Sequence, residues 1–139
     1  MTVALGPILS AVATIAALLV FTAQGVQVGA LRYKLGIQAP ATSGDPLFER
    51  AYRVQMNTLE QLVLMLPLLW LATLLLRGWT WLPAALAAIW TLGRILYANG
   101  YMADPERRSL GFRVGSFAIV GLLIASIAGV AQQALALAR

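Results

Sequence analysis

The chain has 139 residues, 60% of them hydrophobic and 11% charged, with no Cys, no His and a formal net charge of +5. A soluble domain carries roughly 25% charged residues, so this composition excludes a water-covered globule and indicates an integral membrane protein. The absence of Cys and His removes a disulfide framework, a thiol nucleophile, Ser–His and Cys–His pairs and the usual zinc ligands.

There is room for four spans of about 20 residues each and little else. The expected fold is all-α: one transmembrane domain over residues 1–139, with spans near 3–31, 46–76, 82–101 and 105–137. No extramembrane domain is expected. The few carboxylates are a poor metal set, so no metal is expected. The positive balance suits basic ends lying on anionic headgroups and gives no reason to expect a nucleic-acid partner. The N-terminus lacks a charged leader region and a cleavage site, so the first apolar run is expected to be a retained span.

Span one is apolar from Leu5 through Phe21, interrupted by Ser10 and Thr14, which can bond back to the helix backbone. Gly25 and Gly29 form a small-xxx-small pair that suits close helix approach. Arg32 and Lys34 follow at headgroup level. Residues 36–45 read as a loop. Asp45–Pro46 is a helix start, with a capping carboxylate and Pro at the first helical position.

Span two opens with FERAYRVQMNTLEQ and continues as membrane-apolar sequence to residue 76, with Pro67 expected to kink it. Arg53, Asn57 and Glu60 are spaced i, i+4, i+7 and share a face. Polar groups at that depth must be hidden from lipid. The face therefore points into the bundle, a partner subunit or a polar ligand.

Arg77–Gly78 is a short turn flanked by Trp79 and Trp81, as in an interfacial aromatic belt. Span three ends in GRILYANGY, which places Arg94, Tyr97 and Tyr101 at i, i+3, i+7. Asp104–Pro105 is a second helix start. Arg107, Arg108 and Arg113 crowd the first turns of span four, where Gly111 and Gly115 form another small-residue pair.

With four spans, the connections after spans one and three lie on the same side. Most of the Arg and Lys residues sit near that side. The positive-inside rule then places both basic connections in the cytoplasm and both termini opposite. The compact loops point to a bacterial inner membrane.

The converging polar ends offer guanidiniums for carboxylates or a thiolate, with Glu60 and Asn57 for an amine or amide and tyrosine hydroxyls beside them. On the residues alone, a functional site and a structural ion pair of Glu60 with Arg53 or Arg94 are equally supported. Basic residues such as Arg32, Lys34, Arg107 and Arg113 are commonly headgroup anchors.

FERAYRVQMNTLEQ resembles the second-span signature of the MAPEG family, the membrane-associated proteins of eicosanoid and glutathione metabolism. Phe48, Glu49, Arg50, Tyr52, Arg53, Gln55, Asn57 and Glu60 match it. Arg94, Tyr97, Gly100 and Tyr101 match the family's third-span ending, and the resemblance covers essentially the whole chain. It implies a four-helix protomer that assembles as a homotrimer, with glutathione as co-substrate between protomers near the cytoplasmic side. The implied glutathione contacts are Arg53, Asn57, Glu60, Tyr97 and Tyr101, with Gln55 in support and Arg32 and Arg94 at further family arginine positions. Arg108 matches the Arg that stabilises the glutathione thiolate, with Arg107 as its neighbour.

Gln61 and Thr58 depart from the eicosanoid-forming branch, which often has Tyr and Cys there. The expected activity is that of a glutathione transferase or peroxidase acting on a lipophilic small molecule drawn from the membrane lipids. The alternative is a non-catalytic lipid-binding scaffold of the same family.

Overall fold

The computed structural model describes residues 5–138, which form four helices in an antiparallel succession: α1 (Leu5–Lys34), α2 (Pro46–Leu75), α3 (Leu82–Ala103) and α4 (Ser109–Leu137). The expected start at residue 3 and the basic Arg139 lie outside the described residues.

The start of α2 is set by local chemistry. The Asp45 carboxylate accepts from Leu47 N at 2.8 Å and Phe48 N at 3.4 Å, with Pro46 at the first helical position. That arrangement satisfies donors with no intrahelical partner. Between α2 and α3 the chain reverses through Gly78, whose φ of 96° favours glycine.

Two expected boundaries change, and Pro67 leaves α2 unbroken. α1 runs on to Lys34, so Arg32 lies inside its last turn. Its guanidinium covers the Phe48 ring at 4.7 Å and donates to Ile37 O at 3.3 Å. α2 is assigned as helix without interruption through Pro67. The fourth span opens as a 3₁₀ turn over Pro105–Arg108, held by Arg107 N to Asp104 O at 2.9 Å, and becomes α-helical only at Ser109. The tight reversal brings Arg107 O against Gly100, where an added Cβ would sit 2.6 Å from it.

A further departure concerns α3. α1, α2 and the segment Pro105–Leu137 are long and apolar enough to cross a membrane. α3 is not among them, because Arg94, Tyr97 and Asn99 lower its hydropathy. Its 22 residues extend roughly 33 Å at 1.5 Å each. Its charge is turned inward, since Arg94 is fully buried.

The centre is apolar. Ala17 of α1, Met65 and Leu69 of α2, Trp90 of α3 and Leu122 of α4 are all fully buried together. At one end, Arg77 N and Nη2 of α2's exit donate to Gln132 and Gln133 of α4 at 2.8 and 2.9 Å. At the other, Arg50 Nη1 donates to Met102 O at 3.1 Å, tying the start of α2 to the end of α3. Both long connections therefore lie at one end. The outer surface is apolar; Leu19, Phe117 and Ile124 are mostly exposed, as lipid-facing positions would be.

α3 and α4 meet backbone to backbone through glycines. A Cβ on Gly111 would overlap the Tyr97 backbone, and one on Gly93 would lie 2.8 Å from Gly115 N. Gly29 has nothing within 4 Å. Gly111→Ala should destabilise the protein by about 1–3 kcal/mol, the range for overpacking. Gly29→Ala should not destabilise it. Equilibrium unfolding in mixed micelles reads both.

Candidate functional site

The polar opening of α2 meets the end of α3 and the start of α4 around a cavity of about 660 Å³. That volume lies within the range of small-molecule sites. α2 contributes Arg53 and Asn57, one turn apart. α3 contributes Tyr97 and Tyr101, four apart. The 3₁₀ turn and α4 contribute Arg108, Ser109, Phe112 and Arg113. Among the described residues, three guanidiniums line the cavity and no carboxylate does. The site is built for anionic groups.

Aromatic faces hold the wall. The Tyr97 and Tyr101 rings are 5.6 Å apart and tilted by 30°. The Arg108 guanidinium carbon lies 5.4 Å from the Tyr101 centroid, within cation–π reach. Arg53 and Tyr101 also line an adjoining recess of about 750 Å³, bounded by Thr42, Ser43, Glu49, Arg50 and Asp104.

Arg94 stands behind that wall. Its Nε donates to Thr58 Oγ1 at 3.1 Å and its Nη1 to Asn57 Oδ1 at 3.4 Å. Its guanidinium lies 4.0 Å from the Tyr97 centroid. Thr58 Oγ1 in turn donates to Val54 O at 2.9 Å. Asn57 Nδ2 donates to Glu60 Oε2 at 3.2 Å. A desolvated charge costs several kcal/mol unless its partners are well placed. Here the arginine meets Asn57 where an ion pair with Glu60 was one expectation, and the link to Glu60 passes through the amide.

Of the residues singled out from the sequence, the structure brings Arg53, Asn57, Tyr97, Tyr101 and Arg108 together. Glu60 lies one hydrogen bond behind Asn57, and Arg94 lies one hydrogen bond behind Asn57 and against the Tyr97 ring. Gln55 faces α1, its Nε2 3.0 Å from the Cβ position of Gly25. Arg32 sits on Phe48. Neither lines the cavity.

Sequence reasoning passed over Ser109 and Phe112 and assigned Arg113 to anchoring. The spacing of Phe112 from Arg108, at i+4, was the available signal for that residue; none marked Ser109. Thr58 was noted only as a departure, and it proves to be the acceptor of the buried arginine. Gln61, the other departure, accepts from Trp90 Nε1 at 2.9 Å.

These features define a class: a membrane-embedded four-helix bundle with a cationic, tyrosine-walled cavity at one end. The sequence profile of the MAPEG family matches residues 9–128, and the chain belongs to that family. It is 45% identical over 108 residues to an uncharacterised protein of Synechocystis, covering 78% of this chain and 77% of that one. It is 36% identical over 101 residues to human microsomal glutathione S-transferase 2, covering 70% of this chain and 65% of that one. Bovine leukotriene C4 synthase is 31% identical over 83 residues, 60% of this chain and 54% of its own length.

Trp90 is fully buried and its indole N–H relies on Gln61. Gln61→Leu should cost about 1–3 kcal/mol by leaving that donor unpaired. Unfolding in mixed micelles checks this; unchanged stability would mean the indole finds another acceptor.

Proposed function

We propose that the protein is a membrane-embedded glutathione transferase or peroxidase that activates the glutathione thiol against lipophilic electrophiles or peroxides. The observation that carries this is the convergence of Arg53, Arg108 and Arg113 with Tyr97 and Tyr101 on one cavity that no carboxylate lines among the described residues. Glutathione brings two carboxylates, an amine and a thiol. Arg53 is suited to a carboxylate, Glu60 to the amine, and Asn57, Tyr97 and Tyr101 to peptide and hydroxyl contacts. Arg108 is assigned to the thiolate. An adjacent guanidinium lowers a thiol pKa by favouring the charged form. In conjugation the thiolate attacks an electrophilic carbon of an apolar co-substrate from the bilayer, forming a C–S bond as the leaving group departs with its electron pair. With a peroxide it attacks oxygen, the O–O bond breaks to release an alcohol, and a second glutathione converts the sulfenic acid to disulfide and water. No metal takes part in this scheme.

The proposed assembly is a homotrimer. Arg53 and Glu60 are exposed on a helix apolar enough to cross a membrane. Leaving such groups against lipid is costly, so a neighbouring protomer covering them is favoured. Gln55 and Arg32 turn away from their own cavity, and the trimer reading assigns them to a neighbour's glutathione. The proposed topology has all four helices crossing a bacterial inner membrane, with the basic connections cytoplasmic and the termini opposite.

Titrating glutathione into the detergent-purified protein should give a saturable thiolate absorbance. Arg108→Ala should abolish it while glutathione still binds. A shift of about 2 units in the thiol pKa, or about 2.7 kcal/mol, makes most of the bound thiol anionic at neutral pH. Binding without a thiolate signal in the unsubstituted protein would favour the lipid-binding scaffold. Equal signals with and without Arg108 would remove that residue from the role.

A further inference from the structure

Arg94 is fully buried and does not line the cavity, yet it touches two side chains that do. We infer that Arg94 is a positioning residue that sets the amide polarity of Asn57 and so aims the Glu60 carboxylate at a cationic group of the ligand. The inference rests on the glutathione reading, in which that group is the glutathione amine.

A guanidinium only donates. The amide atom facing Arg94 Nη1 must therefore be the oxygen, as it is at 3.4 Å. The amide then has its nitrogen on the opposite side, where Nδ2 donates to Glu60 Oε2 at 3.2 Å. The orientation of an asparagine amide is set by its hydrogen-bond network, and here the network has one direction. Donors run from Arg94 through Asn57 to a carboxylate that only accepts. Glu60 is exposed and stands behind Asn57, outside the cavity lining, and its Oε1 is the atom the inference assigns to the ligand. Reversing the amide would set Asn57 Oδ1 against the Glu60 carboxylate and its NH₂ against the guanidinium, both repulsive.

Two contacts hold Arg94 in the orientation this requires. Thr58 Oγ1 takes its Nε at 3.1 Å, and the Tyr97 ring covers the guanidinium at 4.0 Å. Thr58 is itself fully buried and donates to Val54 O at 2.9 Å, which leaves its oxygen turned to accept from Arg94. A hydroxyl at residue 58 is therefore part of the ligand site without touching the ligand.

Thr58→Val keeps the shape and removes the acceptor, and Thr58→Ser restores a hydroxyl. The affinities of glutathione and N-acetylglutathione, whose amine is blocked, are measured by calorimetry on the detergent-purified full chain. Thr58→Val should weaken glutathione about tenfold, the scale of one charge-assisted hydrogen bond. It should leave N-acetylglutathione unchanged, and Thr58→Ser should bind both as the unsubstituted protein does. Arg94→Lys, which keeps the charge but cannot serve Thr58 and Asn57 together as a planar fork, should show the same amine-selective loss. If Arg94→Lys fails to assemble, the Thr58 pair decides. Equal loss for both ligands would reduce Arg94 and Thr58 to a general structural role and overturn the inference, as would no loss for either. Failure of the unsubstituted protein to bind either ligand would instead overturn the glutathione reading, and the amine assignment with it.

Discussion

A guanidinium buried between two apolar helices is the constraint on which the polar end of this bundle depends. Arg94 has no exposed surface; Thr58, Asn57 and Tyr97 surround it, and its Nη2 is buried without a hydrogen-bond partner. A buried ion is weak evidence of stability. Its cost is offset only if its partners stay where they are, and two of those partners form the cavity wall. Holding the charge in place and holding the site in place are thus one requirement.

The same economy of polar groups runs through the rest of the molecule. Apolar side chains face outward because lipid surrounds them, and the helices approach through glycines where α3 meets α4. Polar side chains close the two ends instead. Arg50 caps the carbonyls at the end of α3, and Arg77 with Gln132 and Gln133 latches α2 to α4 at the opposite end. Between them, Ser10 and Thr73 share a hydrogen bond of 2.7 Å. In the cationic cavity, several charges converge with no carboxylate in the lining among the described residues. The proposed glutathione-using activity would account for that imbalance, and human microsomal glutathione S-transferase 2 is among the chain's relatives.

Much of this was legible beforehand because each signal was local. Asp45–Pro46 announced the start of α2, and the small-residue pair Gly111–Gly115 announced close packing. Arg53 and Asn57 announced a polar face because four residues make one helical turn. The fold class followed from composition. α3 was harder to read, since its Arg94 lowers hydropathy in sequence while being hidden in space. The 3₁₀ turn was harder too: an Asp-Pro start does not reveal whether the following turn closes at i+3 or i+4, which the packing of Arg107 on Gly100 decides.

The sequence by itself determined a membrane-embedded all-helical chain, the approximate helix limits, the family and the residue types at the polar end. Those are properties of composition, periodicity and short motifs, which survive without knowing what packs against what. Only the tertiary structure decided which of those residues meet. It brought Phe112 and Arg113 to the cavity, turned Gln55 and Arg32 away from it, and placed Thr58 beneath Arg94. Rotation of each helix about its axis sets those contacts. That rotation is fixed by packing on three other helices at once, through side chains distant in sequence such as Trp90 on Gln61.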